Sequence, residues 1–310
     1  MRSTLLVALV ALVALAAGCK REEPSRGRPT TTTLATVATA AAVPVPVPGA
    51  GGPFAYTIDV TDPRGELAGE HEKLKACVAS ALDQWGEYVT GKGVLTVDIR
   101  VQYATAGRLT SASGSGVVAG ACKTEPAPCT LAEDQSTHRL RTGLDNPGTP
   151  NADVLVYVTP EHWRRVLWMD PDPKARTAPV PRDRDDAISV CTHEIGHGLG
   201  LDGYRDVSTY RPKPQSGRVY LSPYDELLRF AGNPTFEGPK TLAEVGPVPL
   251  SHEHTTEDLY HYGNASTPTP YDDRLMNGVR FTMGRRYYIS RVDVLMLEDV
   301  GVPIRALPSR

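Results

Sequence analysis

The 310-residue chain has no excess of positive charge, since 33 Lys and Arg stand against 36 Asp and Glu for a net charge of −3. Composition therefore demands no basic surface, and nucleic acid is not an expected partner. The sequence shows no internal repeat, which leaves out solenoid and propeller architectures. The apolar stretch at residues 5–15 is too brief for a comfortable membrane span. Cysteine is scarce: there are five in all, and none lies between Cys19 and Cys77.

What is present begins with Arg2 and the apolar run from Leu5 to Leu15, a short positive start and hydrophobic stretch that read as a signal peptide over residues 1–18. Leu15-Ala16-Ala17-Gly18-Cys19 resembles a bacterial lipobox, which implies cleavage before Cys19 and a lipid on that residue. Lys20 is not the aspartate associated with inner-membrane retention, so the expected location is the bacterial cell envelope, at the outer membrane or cell surface. Residues 19–53, with Thr30-Thr31-Thr32-Thr33 and Val43-Pro44-Val45-Pro46-Val47-Pro48, carry neither a helical nor a strand period. Such a segment cannot bury enough apolar surface to offset its ordering entropy and is expected to act as a tether.

Residues 54–310 are long enough for one large domain. Residues 54–60 read as a strand, and residues 66–88 as a helix with Leu74, Val78, Leu82 and Trp85 at helical spacing. Residues 94–101 and 152–158 read as further strands. This order predicts an α+β fold. Residues 204–250 are rich in Gly and Pro and are expected to hold few regular elements. In an exported protein, the four cysteines after Cys19 read as two disulfides: Cys122 with Cys129 across a short loop, and Cys77 with Cys191.

The strongest signal is His193-Glu194-Ile195-Gly196-His197-Gly198-Leu199-Gly200. On a helix, residues four apart share a face, so His193 and His197 can offer nitrogens to one zinc ion. Glu194 is then placed to act as general base on an activated water. Cys191 should point away from the metal.

The HExxHxxG pattern resembles metzincin zinc peptidases. In that superfamily a His or Asp three residues after the last glycine completes the site. Here the position is Gly203, with Asp202 one residue early. Downstream, Pro247-Val248-Pro249-Leu250, His261-Tyr262-Gly263 and Asp273-Arg274-Leu275-Met276-Asn277-Gly278 are similar to the leishmanolysin-like branch, in which a long insert precedes the third histidine. Pro234-Thr235-Phe236-Glu237-Gly238-Pro239 and the last helix extend the likeness over residues 185–302.

The resemblance implies a secreted or surface zinc endopeptidase with an N-terminal lobe (54–203), built on a twisted mixed sheet with a long helix and the zinc helix. Its loop-rich C-terminal lobe (204–310) would end in a helix, with the cleft between the two. It also implies Met276 as a Met-turn beneath the metal, where the alternative is ordinary core filling. For the third ligand, His261 is preferred over His254 and His252, because it lies within Tyr260-His261-Tyr262 and fifteen residues before Met276, whereas the other two sit in a polar, loop-like stretch.

Tyr287 or Tyr288 is left open as a phenol for a tetrahedral intermediate or as packing. His71 and Glu72 are read as a solvated helix face, and His138 and His162 as structural. The expected partners are a peptide substrate and, through the lipid, a membrane, for a chain acting as a monomer. Two other readings remain: an inactive, surface-anchored binding lipoprotein, and a zinc hydrolase of a non-peptide amide.

Overall fold

The computed structural model describes residues 54–102, 110–113, 116–125, 128–146, 152–206, 208–215, 217–252, 258–263, 270–277 and 281–305. The signal peptide, Cys19, the tether and His254 lie outside them.

The first half runs β1 (Ala55–Thr61), α1 (His71–Gly86), β2 (Val94–Val101), β3 (Thr110–Ser113), β4 (Gly116–Ala121), β5 (Cys129–Asp134), α2 (Gln135–Thr142) and β6 (Val154–Val158). There follow α3 (Pro160–Arg165), β7 (Leu167–Trp168), β8 (Asp185–Asp186) and α4 (Ala187–Leu199). The remainder is β9 (Pro214–Gln215), β10 (Arg218–Leu221), α5 (Pro223–Glu226), β11 (Leu228–Arg229), β12 (Thr235–Phe236), α6 (Pro239–Val245), β13 (Val248–Pro249) and α7 (Arg291–Asp299). The expected α+β class is the one found.

The main sheet has the order β1-β2-β6-β3, with β1, β2 and β6 parallel and β3 antiparallel at the edge. Alternation in β2 buries Leu95, Val97, Ile99 and Val101, which points one face of that strand into the core. Helix α1 buries Leu74, Val78, Leu82 and Trp85, and its C-terminal turn reaches α4 through the Trp85 indole N–H, which donates to the Thr192 carbonyl at 2.8 Å. The helix begins at His71, after a short 3-10 turn at Ala68–Glu70, rather than at Glu66.

Helix α4 is fixed at both ends. Asp186 caps its N-terminus, accepting from the Ser189 amide at 3.1 Å, and is paired with the buried Arg176. At the other end Gly200 has φ 134, and the Leu201 and Gly200 amides bond the Gly196 and His197 carbonyls in a Schellman pattern. Hydroxyls of α2 take two more terminal carbonyls: Ser136 donates to Gly198 at 2.6 Å and Thr137 to Leu199 at 2.8 Å. The final glycine of the histidine motif is thus required by backbone geometry.

Residues 204–250 hold more regular structure than expected. β10 pairs in parallel with β5 in a sheet of order β4-β5-β10-β9, and β11, β12 and β13 form another. Two prolines read as loop signals in fact open helices, Pro223 after the Ser222 cap and Pro239 after Gly238, where a missing amide proton costs nothing.

The disulfide Cys122–Cys129 is present. The expected Cys77–Cys191 bond is not. The two sulfurs are brought together from α1 and α4, but at 2.8 Å they are two buried thiols, beyond the roughly 2.0 Å of a bond. Burial, with the neighbouring Cys191, pushes the Cys77 thiol well up and disfavours the thiolate that disulfide formation needs.

Candidate metal centre

From Asp185 to Leu201 every residue is buried except Val190 and Glu194, which lie four apart and share a helix face. Glu194 therefore keeps access to solvent, while His193 and His197 are 8 % and 9 % exposed on the inner side.

Each histidine is oriented through its other nitrogen. His193 Nδ1 lies 2.7 Å from the Leu275 carbonyl, and His197 Nδ1 lies 2.7 Å from the Leu201 carbonyl. A carbonyl can only accept, so both Nδ1 atoms carry the proton and both Nε2 atoms present lone pairs. The Schellman turn that ends α4 thus also orients His197, because it places Leu201.

His261 completes a triangle. Its Nε2 lies 3.0 Å from that of His193 and 3.2 Å from that of His197, and the His193 and His197 Nε2 atoms are 3.1 Å apart. With both Nδ1 atoms protonated, the Nε2 lone pairs of His193 and His197 face each other at 3.1 Å and cannot hydrogen-bond one another, an approach that a cation held between them and His261 would relieve. Three imidazoles on one tetrahedral ion at about 2.0–2.1 Å would stand about 3.3 Å apart, close to the spacing here. The donor set therefore fits a metal ion, and among the described residues His193, His197 and His261 form a cluster that could hold it. Burial, with His197 nearby, lowers the His193 pKa to about 3 and favours the unprotonated ring that a metal requires.

His261 is carried by a segment laid between two others. The Ser251 amide donates to the His261 carbonyl at 3.0 Å, the Gly263 amide to Pro249 at 2.6 Å and the Tyr262 amide to Met276 at 3.0 Å. Below it the Tyr262 phenol donates to the buried Asp293 of α7 at 2.7 Å. His252 is outside the cluster, its Nδ1 set against the Leu250 carbonyl at 3.1 Å.

Met276 is 1 % exposed and packs under α4, where a Cβ on Gly196 would come within 2.9 Å of its sulfur and 3.1 Å of the Trp85 ring. Gly203 is likewise constrained, since a Cβ there would meet the Asp225 carboxylate at 2.5 Å. Asp225 accepts the Tyr204 and Ser222 amides at 2.7 and 3.0 Å, and burial raises its pKa to about 6.

The two candidate tyrosines differ. The Tyr287 phenol oxygen accepts the Thr282 amide at 3.0 Å, and its ring stacks on Phe281 at 4.2 Å, as packing would have it. Tyr288 is 56 % exposed, with the Arg176 guanidinium 5.0 Å from its ring centre. His71 pairs with Asp62 at 3.2 Å, Glu72 is exposed, and His138 pairs with Glu133 at 2.8 Å.

No sequence pattern points to Phe281, which meets the His193 ring edge-on at 5.3 Å, or to the two carbonyls that fix the imidazole tautomers. Carbonyls carry no sequence signal. Compared with known proteins, the chain matches no protein-family model, no curated protein and no solved structure.

Proposed function

We propose that this chain is a zinc-dependent endopeptidase with His193, His197 and His261 as metal ligands and Glu194 as general base. One observation carries the reading: three imidazole Nε2 atoms converge to within 3.0–3.2 Å beside a solvent-accessible glutamate of the same helix. Three nitrogen ligands with a fourth position left for water or substrate is the donor set of a catalytic zinc rather than of a closed structural one. Zinc bound there would supply Lewis acidity, polarising a scissile carbonyl and acidifying a water.

The protein's own residues do the rest. The Leu275 and Leu201 carbonyls hold two rings in the metal-binding tautomer, and Glu194 takes the proton from the attacking water and returns it to the leaving amine. The likeness to leishmanolysin-like metzincins rests on the same three histidines, on Glu194 and on Met276 packed under the helix. The strongest support for an inactive binding protein is the missing ligand at Gly203. A third imidazole arriving from His261 removes that support.

The N-terminal reading adds a lipid anchor at Cys19 and an envelope location. Among the described residues no helix is long and apolar enough to cross a membrane. The mass of the mature chain isolated from membranes tests the anchor.

The test of function is cleavage of a quenched peptide library by residues 54–310, with and without chelator, beside Glu194→Ala. Chelator-sensitive cleavage that falls by about 10² to 10⁴ in the variant is the expected outcome. A folded, metal-loaded wild type that cleaves no peptide contradicts it.

A further inference from the structure

His193 and His197 are fixed on α4, but His261 comes from the far end of a long insert and must be held in register with them. A ligand on a loop loses affinity to ordering entropy unless the loop is closed in advance. Ligand geometry has to be kept to about 0.5 Å for a site to work. The insert is closed at its neck.

Arg205 lies where the chain leaves the histidine helix, and Tyr260 directly precedes His261. The Tyr260 phenol oxygen accepts the Arg205 amide at 2.8 Å and turns its own proton toward the Arg205 carbonyl at 3.3 Å and Asp225 Oδ1 at 3.4 Å. Both residues are buried, at 9 % and 6 % exposure.

Arg205 Nη1 donates to the Tyr210 carbonyl within the insert at 2.8 Å and, outside it, to Glu125 at 2.9 Å, which anchors the neck from beyond the insert. Glu125 belongs to the loop closed by the Cys122–Cys129 disulfide. In the same loop the Lys123 and Thr124 amides donate to Glu226 Oε1 at 2.6 and 3.3 Å, which ties α5 to the loop next to Asp225.

We propose that Tyr260 and Arg205 are positioning residues for the third metal ligand, and that the disulfide-closed loop is their anchor. This rests on the metal reading of the three histidines. Tyr260 acts through the backbone of His261 and not by touching the site.

The test measures zinc affinity by chelator competition, together with thermal stability, on full-length protein. The set is wild type, His261→Ala, Tyr260→Phe, the double variant Cys122→Ser/Cys129→Ser, and Asp299→Asn. Asp299 accepts the Lys240 and Thr241 amides at 2.9 Å each, a clamp of similar make that the neck does not use.

Tyr260→Phe is expected to bind zinc about tenfold more weakly. The cysteine variant should show a smaller loss in the same direction and carries the test if Tyr260→Phe does not fold. Asp299→Asn should lose thermal stability at unchanged zinc affinity. If wild type binds one zinc that His261→Ala loses, while the neck variants bind like wild type or Asp299→Asn weakens zinc equally, the positioning role is overturned and the metal reading stands. If wild type binds no zinc, both fall.

Discussion

Gly196 and Met276 are complementary surfaces: the sulfur of Met276 lies 2.9 Å from where a Cβ on Gly196 would stand, so the glycine between the two motif histidines admits the methionine beneath them. The helix and the segment after His261 are thereby locked together at the level of the imidazoles. The same segment supplies the Leu275 carbonyl that orients His193.

Gly196→Ala should destabilise the protein by about 1–3 kcal/mol through overpacking against Met276 and Trp85. Met276→Ala in the same background should recover part of that loss, because the two sites share a contact. Denaturant unfolding of the two single variants and the double variant reads the coupling; strict additivity would show that the contact does not exist.

The pH dependence of the metal-free protein should carry the signature of His193. Its pKa is lowered from 6.5 to about 3 by burial. Between those values the unfolded chain binds a proton that the folded chain does not, so the His193 contribution is intact above pH 6.5 and is lost as pH falls toward 3. Asp225, raised from 3.8 to about 6 by burial, acts with the opposite sign: its contribution is full below pH 3.8 and is lost as pH rises through 6. The difference between wild type and His193→Gln isolates the histidine. That difference should shift against wild type by up to about 1.4 kcal/mol per pH unit as pH falls through the window. A difference that does not vary with pH would contradict the assignment.

Opening the Cys122–Cys129 bridge should lower stability by about 2–3 kcal/mol, the loop-closure value for so short a ring. Calorimetry of Cys122→Ser/Cys129→Ser should then show a midpoint about 5–10 °C lower. An unchanged midpoint would mean that the loop is held by Glu226 and Arg205 alone.

Two histidines, the glutamate and the long α1 were legible because each follows a short-range rule: i, i+4 on one face, and an apolar stripe at helical spacing. His261 was separable from His252 and His254 only by its aromatic neighbours and its place before Met276. The structure brings it to the other two through pairing of residues 261–263 with 249–251 and 276–277, which no local pattern encodes. The strands of residues 204–250 escaped for the same reason. β10 is four residues long and is defined by β5, nearly ninety positions earlier. The Cys77–Cys191 expectation had its proximity right and its chemistry wrong, since counting cysteines reports neither burial nor thiol acidity.

The most direct test of the central claim is the metal content of purified protein, measured as zinc per chain after dialysis for wild type, His261→Ala and His252→Ala. One zinc per chain in wild type and in His252→Ala, with none retained in His261→Ala, is the expected result. Stoichiometric zinc in folded His261→Ala, or none in folded wild type offered excess zinc, would contradict a three-histidine metal centre.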